Sequence, residues 1–285
     1  MKASRFLTFV FAVAIAAASV IMPAGSAAAD CDKVVVTGED IAEQAENTPP
    51  TRDWVLYKRA AGDGQVRTGP ATPPSGIGSY ELVTPTGADK ATLFNFDHTG
   101  TPLADINKLG YATYRTSGTA SQVAALNIQV DFNGDAPGGF TTLVFEPVYN
   151  TDQGVVVSNT WQTWDAYNGG QAIWWSSNPI PSAPNRDTFV SWETIVAANP
   201  DAVIVGGFGI NQGSGNPALT TSTDVLSIGY GEGADAVCIT YDFEPFRVAT
   251  SKEDCKDGGF QSVKTAGGAS FKNQGQCIQY VNTGK

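Results

Sequence analysis

Four of the six tryptophans in this 285-residue chain, Trp161, Trp164, Trp174 and Trp175, fall within fifteen consecutive positions of "NTWQTWDAYNGGQAIWW". An indole plane either fills a core or offers a surface for stacking. The apolar face of a sugar ring suits such a surface when nearby amides and carboxylates supply hydrogen bonds to hydroxyls. Spacing sorts the four. Trp174 and Trp175 are adjacent, so in a strand they point to opposite faces and only one of them can be core. Trp161 and Trp164 are three apart and divide in the same way. If "NGGQ" (168–171) closes a hairpin between the two segments, one or two rings stand away from the core. Trp164 and Trp175 are therefore the candidate stacking planes; a second core layer beneath a loop is the competing account. In "ALNIQVDF" (125–132), apolar residues alternate with Asn127, Gln129 and Asp131, which would form a polar wall on a neighbouring strand.

Other chemistry is weakly encoded. "DFNGDAPGG" sets Asp131, Asn133 and Asp135 at alternate positions, as the first ligands of a calcium loop are set. The sixth position is Ala136 where glycine is needed, and the twelfth is Thr142 where a bidentate glutamate is needed. The same residues build an ordinary hairpin turn. Calcium is the single cofactor the sequence suggests. "GGFGINQGSGN" (206–216) lacks both the Lys-Ser/Thr pair of a phosphate loop and a following helix, and reads as a surface loop. The chain has one histidine, His98, and no G-x-S-x-G elbow, so His98 reads as a structural imidazole. Asp97, Glu146, Asp165 and Glu193 are available for a glycosidase pair, but no closely spaced E-x-D-x-x-E strand is present.

Stepping outward to what must position these groups, the first 29 residues read as a signal peptide: Lys2 and Arg5, an apolar stretch from Phe6 to Ile21, then Ala27–Ala29 as the cleavage site. The mature chain then begins at Asp30 and is secreted, with no membrane insertion after signal removal. Net charge is −11, and more negative once Lys2 and Arg5 leave. That balance disfavours nucleic acid and anionic membrane surfaces and fits neutral polymers or cations. The acids are scattered, as on a solvated surface.

All four cysteines lie in the exported part, where disulfides persist. We favour Cys255–Cys277, close in sequence, and Cys31–Cys238, which would tie the mature N-terminus to a late strand. No CxxC occurs, and zinc is disfavoured.

Residues 30–52 read as a polar lead-in, with a short helix in "EDIAEQAEN" before Pro49-Pro50. From "DWVLYKRA" to residue 244 the chain is a run of about ten to twelve short strands separated by Gly/Asn/Pro turns. One helix, "SWETIVAANP", is expected, capped by Ser191 and ended by Pro200. This pattern predicts an all-β, jelly-roll-type two-sheet sandwich of the concanavalin or carbohydrate-binding-module kind over 53–244. Residues 245–285 form a small disulfide-looped appendage ending in a helical pattern with Cys277, Tyr280 and Val281 on one face.

The stretches "ENTPPTRDWVLYKRA", "DKATLFNFDHTGTPLADINKLGYATYR", "AALNIQVDFNG", "GGFTTLVFEPVYN" and "NPDAVIVGGFGINQGSGNPALTT" resemble a family of exported bacterial β-sandwich proteins of uncharacterised activity. The tail pattern C-K-x-G-G-F…F-K-N-Q-G-x-C is similar to short C-terminal modules of other secreted bacterial proteins, with Phe260 where a tryptophan is usual. The resemblance implies a fold and a location, not a chemistry. The reading is a secreted, non-catalytic binder of a glycan or cell-envelope polymer. A glycoside-processing enzyme on the same fold and an extracellular adhesion or structural protein are the alternatives. Nothing in the sequence sets an oligomeric state.

Overall fold

The computed structural model describes residues 31–119, 121–134 and 137–285. The segment that the sequence suggests as a signal peptide, and Asp135, lie outside the described residues. Along the chain the strands are β1 (Asp32–Val36), β2 (Ile41–Ala45), β3 (Trp54–Arg59), β4 (Asp63–Thr68), β5 (Gly78–Thr84) and β6 (Lys90–Asn95). There follow β7 (Ile106–Ser117), β8 (Ala125–Asp131), β9 (Phe140–Phe145), β10 (Trp161–Asp165), β11 (Ile173–Ser176) and β12 (Val190–Ser191). Helix α1 (Trp192–Ala198) precedes β13 (Val203–Gln212), β14 (Leu219–Tyr230) and β15 (Val237–Phe243). The tail holds β16 (Arg247–Val248), β17 (Val263–Lys264) and helix α2 (Gln274–Thr283).

Two sheets face each other. One has eight strands in the order β12-β11-β9-β8-β13-β6-β3-β2; the other has seven, with β14 at its centre. The chain crosses between the sheets repeatedly, after β1, β3, β5, β6, β7, β9, β10 and β13. That crossing makes this a two-sheet sandwich of jelly-roll type. Period-two alternation fills the space between: Leu126, Ile128 and Val130 of β8, Leu143 and Phe145 of β9, and Phe208 and Ile210 of β13 are buried with Trp54, Trp164, Trp174 and Trp192 in one core.

Strand β14 forks the smaller sheet. One side pairs β7; the other pairs β5 through Leu219–Thr223 and β15 through Leu226–Tyr230. The register slips between Asp224 and Ser227, and Val225 takes a positive φ of 49°. Buried carboxylates fill the fork. Asp224 accepts the backbone N–H groups of Ser75 (2.9 Å) and Phe243 (3.4 Å), and Glu244 accepts that of Ile77 (2.9 Å). The Ser75 hydroxyl donates to Asp242 (2.9 Å), which also pairs with Lys33 (3.4 Å). These bonds fasten the loop before β5 to the β14–β15 pair.

Four sequence-based expectations are corrected. "EDIAEQAEN" forms no α-helix: Ile41–Ala45 is an edge strand running parallel to β3, and the 31–52 segment thus supplies β1 to one sheet and β2 to the other. "NGGQ" closes no hairpin. It carries the chain from β10, paired with β7 in one sheet, to β11, paired with β9 in the other. Glycines 206–209 are strand, not loop; β13 runs on to Gln212 through a bulge between Ile204 and Phe208. A Cβ at Gly207 would stand 2.2 Å from Cγ of Phe94, so this strand needs glycine where its neighbour folds over it. Finally, thirteen strands, β3 to β15, form over 53–244 where the sequence predicts about ten to twelve; β12, an edge piece, is only two residues long.

Helix α1 is as expected: the Ser191 hydroxyl accepts the Thr194 N–H at 3.2 Å, and the helix stops at Asn199, just before Pro200. His98 is buried between Tyr241 (2.9 Å) and Tyr230 (3.4 Å), and desolvation lowers its pKa to about 4, so it is a neutral structural ring. The disulfides are Cys31–Cys238 and Cys255–Cys277. Residues 249–281 surround the second bridge with a small core of their own, in which Phe271, Tyr280 and Val281 pack around Cys277.

Candidate functional site

The outer face of the eight-stranded sheet is where polar and aromatic side chains meet in a depression. Residues of opposite parity to the core set point there: Asn127 and Gln129 from β8, Thr142 and Val144 from β9, Trp175 from β11, Thr92 and Phe94 from β6. Two adjoining clefts open on this face and share Lys90 as a wall.

The first cleft, about 310 Å³, is built around Trp175. Its indole is half-buried and lies opposite Val144 of β9. The ring is fixed at both ends. Its Nε1–H donates to Oε2 of Glu146 at 2.8 Å, and the guanidinium carbon of Arg186 sits 5.2 Å from the ring centroid. Burial pushes the Glu146 carboxyl above its usual range, while the indole N–H pulls it back down. Asn127 forms the floor beside them. It is buried opposite Val144, and its side-chain oxygen, shut off from solvent, has no hydrogen-bond partner among the described residues.

The second cleft, about 490 Å³, is lined by Tyr57, Phe94 and Phe96, which form an edge-to-face cluster on the outer side of the sheet. The Tyr57 hydroxyl donates to the carbonyl of Thr48 at 3.0 Å and so draws the loop after β2 over the cluster. Glu46 stands between the clefts, paired with Lys90 (2.7 Å) and Arg59 (3.4 Å).

The residues proposed from sequence are thus divided. Trp164 is no stacking plane: it is 1% exposed, inside the sandwich, with Nε1 donating to Thr113 at 2.8 Å. Because the "NGGQ" turn changes sheets and does not reverse within one, Trp164 faces the core from one side and Trp174 from the other. Trp175 and Asn127 come together in the first cleft. Gln129 lines the second, but its side-chain oxygen accepts the Gly207 N–H at 2.8 Å and satisfies the β13 bulge. Asp131 lines neither cleft; its carboxylate accepts the Asn133 N–H at 3.1 Å in the turn. In that turn Asp131 and Asn133 both reach toward Gly139, where a Cβ would stand 1.9 and 2.0 Å from their oxygens.

Sequence reasoning missed Tyr57, Phe94, Phe96 and Arg186. A signal existed for each. "WVLY" and "LFNF" place apolar residues on both faces of their strands, which one buried face does not require. Arg186 is the single cation between Arg115 and Arg247.

No family model and no curated protein matches the sequence. Among solved structures, the chain is similar to the family 11 carbohydrate-binding module of a cellulosomal cellulase of Clostridium thermocellum. The identity is 8% over 65% of this chain and 92% of that one, with a TM-score of 0.36. It is also similar to the family 11 module from Clostridium thermocellum in complex with a β-1,3-1,4-mixed-linked tetrasaccharide. There the identity is 9% over 60% of this chain and 85% of that one, with a TM-score of 0.33.

Proposed function

We propose that this is an exported, non-catalytic glycan-binding protein whose site is the paired cleft on the outer face of the eight-stranded sheet. The observation that carries the reading is the grouping of Trp175, half-buried with an oriented indole, and the polar floor residue Asn127 in one open depression. An aromatic ring and convergent polar groups are what the apolar face and the hydroxyls of a sugar require. Tyr57, Phe94 and Phe96 extend the aromatic lining into the second cleft. From β3 to β11 the face spans five strand spacings, on the order of 24 Å, the scale of a short oligosaccharide.

A hydrolytic role is disfavoured by the carboxylates. Glycoside hydrolysis takes two flanking acids; among the described residues lining the paired cleft the acids are Glu146, bonded to the Trp175 indole, and Glu46, paired with Lys90 and Arg59. Asp165 is spent on the Tyr167 and Asn168 N–H groups in the opposite sheet, and Glu193 accepts from Gln171.

Titration of intrinsic fluorescence with a panel of polysaccharides tests the proposal. A binding glycan is expected to shift the emission of wild-type protein, and Trp175→Ala, checked for folding by circular dichroism, is expected to abolish the shift and the binding. Undiminished affinity in folded Trp175→Ala and Asn127→Ala variants would place the site elsewhere and sink the proposal.

A further inference from the structure

We propose, building on that reading of the site, that the cleft selects an anionic glycan carrying carboxylates, a uronic-acid polymer, and that Arg186 is the residue that reads the carboxylate. Charge carries this. The chain is strongly acidic, at −11 overall, yet the residues facing the paired cleft include three cations, Arg59, Lys90 and Arg186, against two acids, Glu46 and Glu146. Two of these share a single carboxylate, Glu46. Arg186 makes no ion pair among the described residues; its guanidinium rests on the face of Trp175. The depression is therefore a positive spot on a negative molecule.

The negative surround does not cancel it. At 0.1 M salt, exposed charges more than about 10 Å apart are largely screened, so an approaching polymer feels the cations lining the cleft more than the distant acids. The acids elsewhere instead deter an anionic chain from every other face.

Arginine is also suited to the task by shape. A guanidinium presents a planar fork of donors that matches a carboxylate in a bidentate pair, and stacking on an indole holds that fork in place. The Asn127 amide on the cleft floor favours a sugar acid over a simple anion: ring hydroxyls of a uronate both donate and accept, whereas a carboxylate alone only accepts. Arg186, Trp175 and Asn127 thus read the acid group, the ring face and a hydroxyl of one sugar residue.

The experiment is calorimetric titration of the chain from residue 30 onward with polygalacturonate, with the same polymer fully methyl-esterified, with dextran sulfate and with a neutral mixed-linkage β-glucan. We expect polygalacturonate to bind, and methyl esterification, which removes charge and leaves the backbone, to weaken binding about ten-fold or more. Arg186→Gln should erase the preference for the acid form, and Arg186→Lys should restore it only in part. Folding of each variant is checked by its unfolding midpoint. If the methyl ester or the β-glucan binds as tightly as the acid and Trp175→Ala abolishes that binding, the uronate inference is overturned while the glycan site stands. If dextran sulfate binds as tightly as polygalacturonate, the cleft reads charge and not carboxylate, and the inference is again overturned. If no polymer binds, both readings fall together.

Discussion

Trp174 and Trp175, neighbours in β11, belong to different parts of the molecule: the first is sealed in the core with its Nε1–H on the carbonyl of Ala166 at 2.9 Å, and the second faces the outer cleft with its Nε1–H on Glu146 at 2.8 Å. The pleat of a single strand thus hands one ring to packing and the next to the surface. Of the remaining tryptophans, Trp54, Trp164 and Trp192 are also buried, and Trp161 is held against Pro70 and Tyr114. Acrylamide should therefore quench only a minor part of the emission, and Trp175→Phe should remove much of that part. Unchanged quenching in Trp175→Phe would show that the cleft is closed in solution.

Replacing the core ring has a different signature. Trp164→Ala opens a cavity between the sheets and leaves Thr113 without its donor, for a loss of about 3–5 kcal/mol. Trp175→Ala, half-buried at the surface, should cost far less. Urea unfolding of the two variants measures the difference, and equal losses would contradict the placement of Trp164.

Gly207 is a point of close approach between β13 and the Phe94 ring of β6. Gly207→Val must push Phe94 aside, with an expected loss of about 1–3 kcal/mol by urea unfolding and a disturbed second cleft. A variant of wild-type stability would mean that Phe94 moves freely.

How far was this legible beforehand? The alternation in 125–132, the Ser191 cap and the close spacing of Cys255 and Cys277 carry the sandwich, α1 and one bridge, because each is a local or nearly local signal; Cys31–Cys238, 207 residues apart, then follows as the remaining pair. The side of the sandwich on which a segment lies is not local. Trp164 escapes a local reading because Asn168–Gly170 has the composition of a hairpin turn, and only pairing with a strand distant in sequence decides that β10 joins β7. The helix read into "EDIAEQAEN" fails for a similar reason: its residues are good helix formers, and pairing with β3 overrides that propensity. Arg186 was passed over because a lone surface arginine looks unremarkable until its stacking partner is known.

Burial raises the Asp224 carboxyl to about 7, from an ordinary value of 3.8, against the pull of its backbone N–H donors. The fold thus favours the protonated acid. Stability from that proton is fully present below about pH 4 and is lost as pH rises through about 7. Asp224→Asn should flatten the fall in stability between pH 5 and 7.5 in urea unfolding. Parallel pH profiles for the variant and wild type would rule this out.

His98 works in the opposite sense. The unfolded chain takes up its proton near pH 6.5 and the folded chain only near 4, so this site costs stability as pH falls from 6.5 to 4. His98→Gln should lessen the loss over that window. A steeper acid limb in the variant would mean that the ring is charged in the native protein.

Cys255→Ser with Cys277→Ser should loosen the tail alone, since its apolar residues cluster apart from the sandwich. Closing that 22-residue separation is worth about 3 kcal/mol in the chain-entropy picture. Limited proteolysis is expected to trim residues beyond 249 and leave the rest intact. A matching drop in the unfolding midpoint of the sandwich would show instead that the two cores melt as one.

Strand β1 lies beside β15, and the cysteines that lock them are 207 residues apart. A chain delivered N-terminus first, from a ribosome or through a membrane pore, releases the opening strand long before its partner exists. Until Val237–Phe243 emerges, Asp32–Val36 has no strand to pair with in its sheet, and one side of β14 is open from Leu226 to Tyr230. The architecture thus leaves the completion of this sheet, and of the bridge across it, to the last strand of the sandwich.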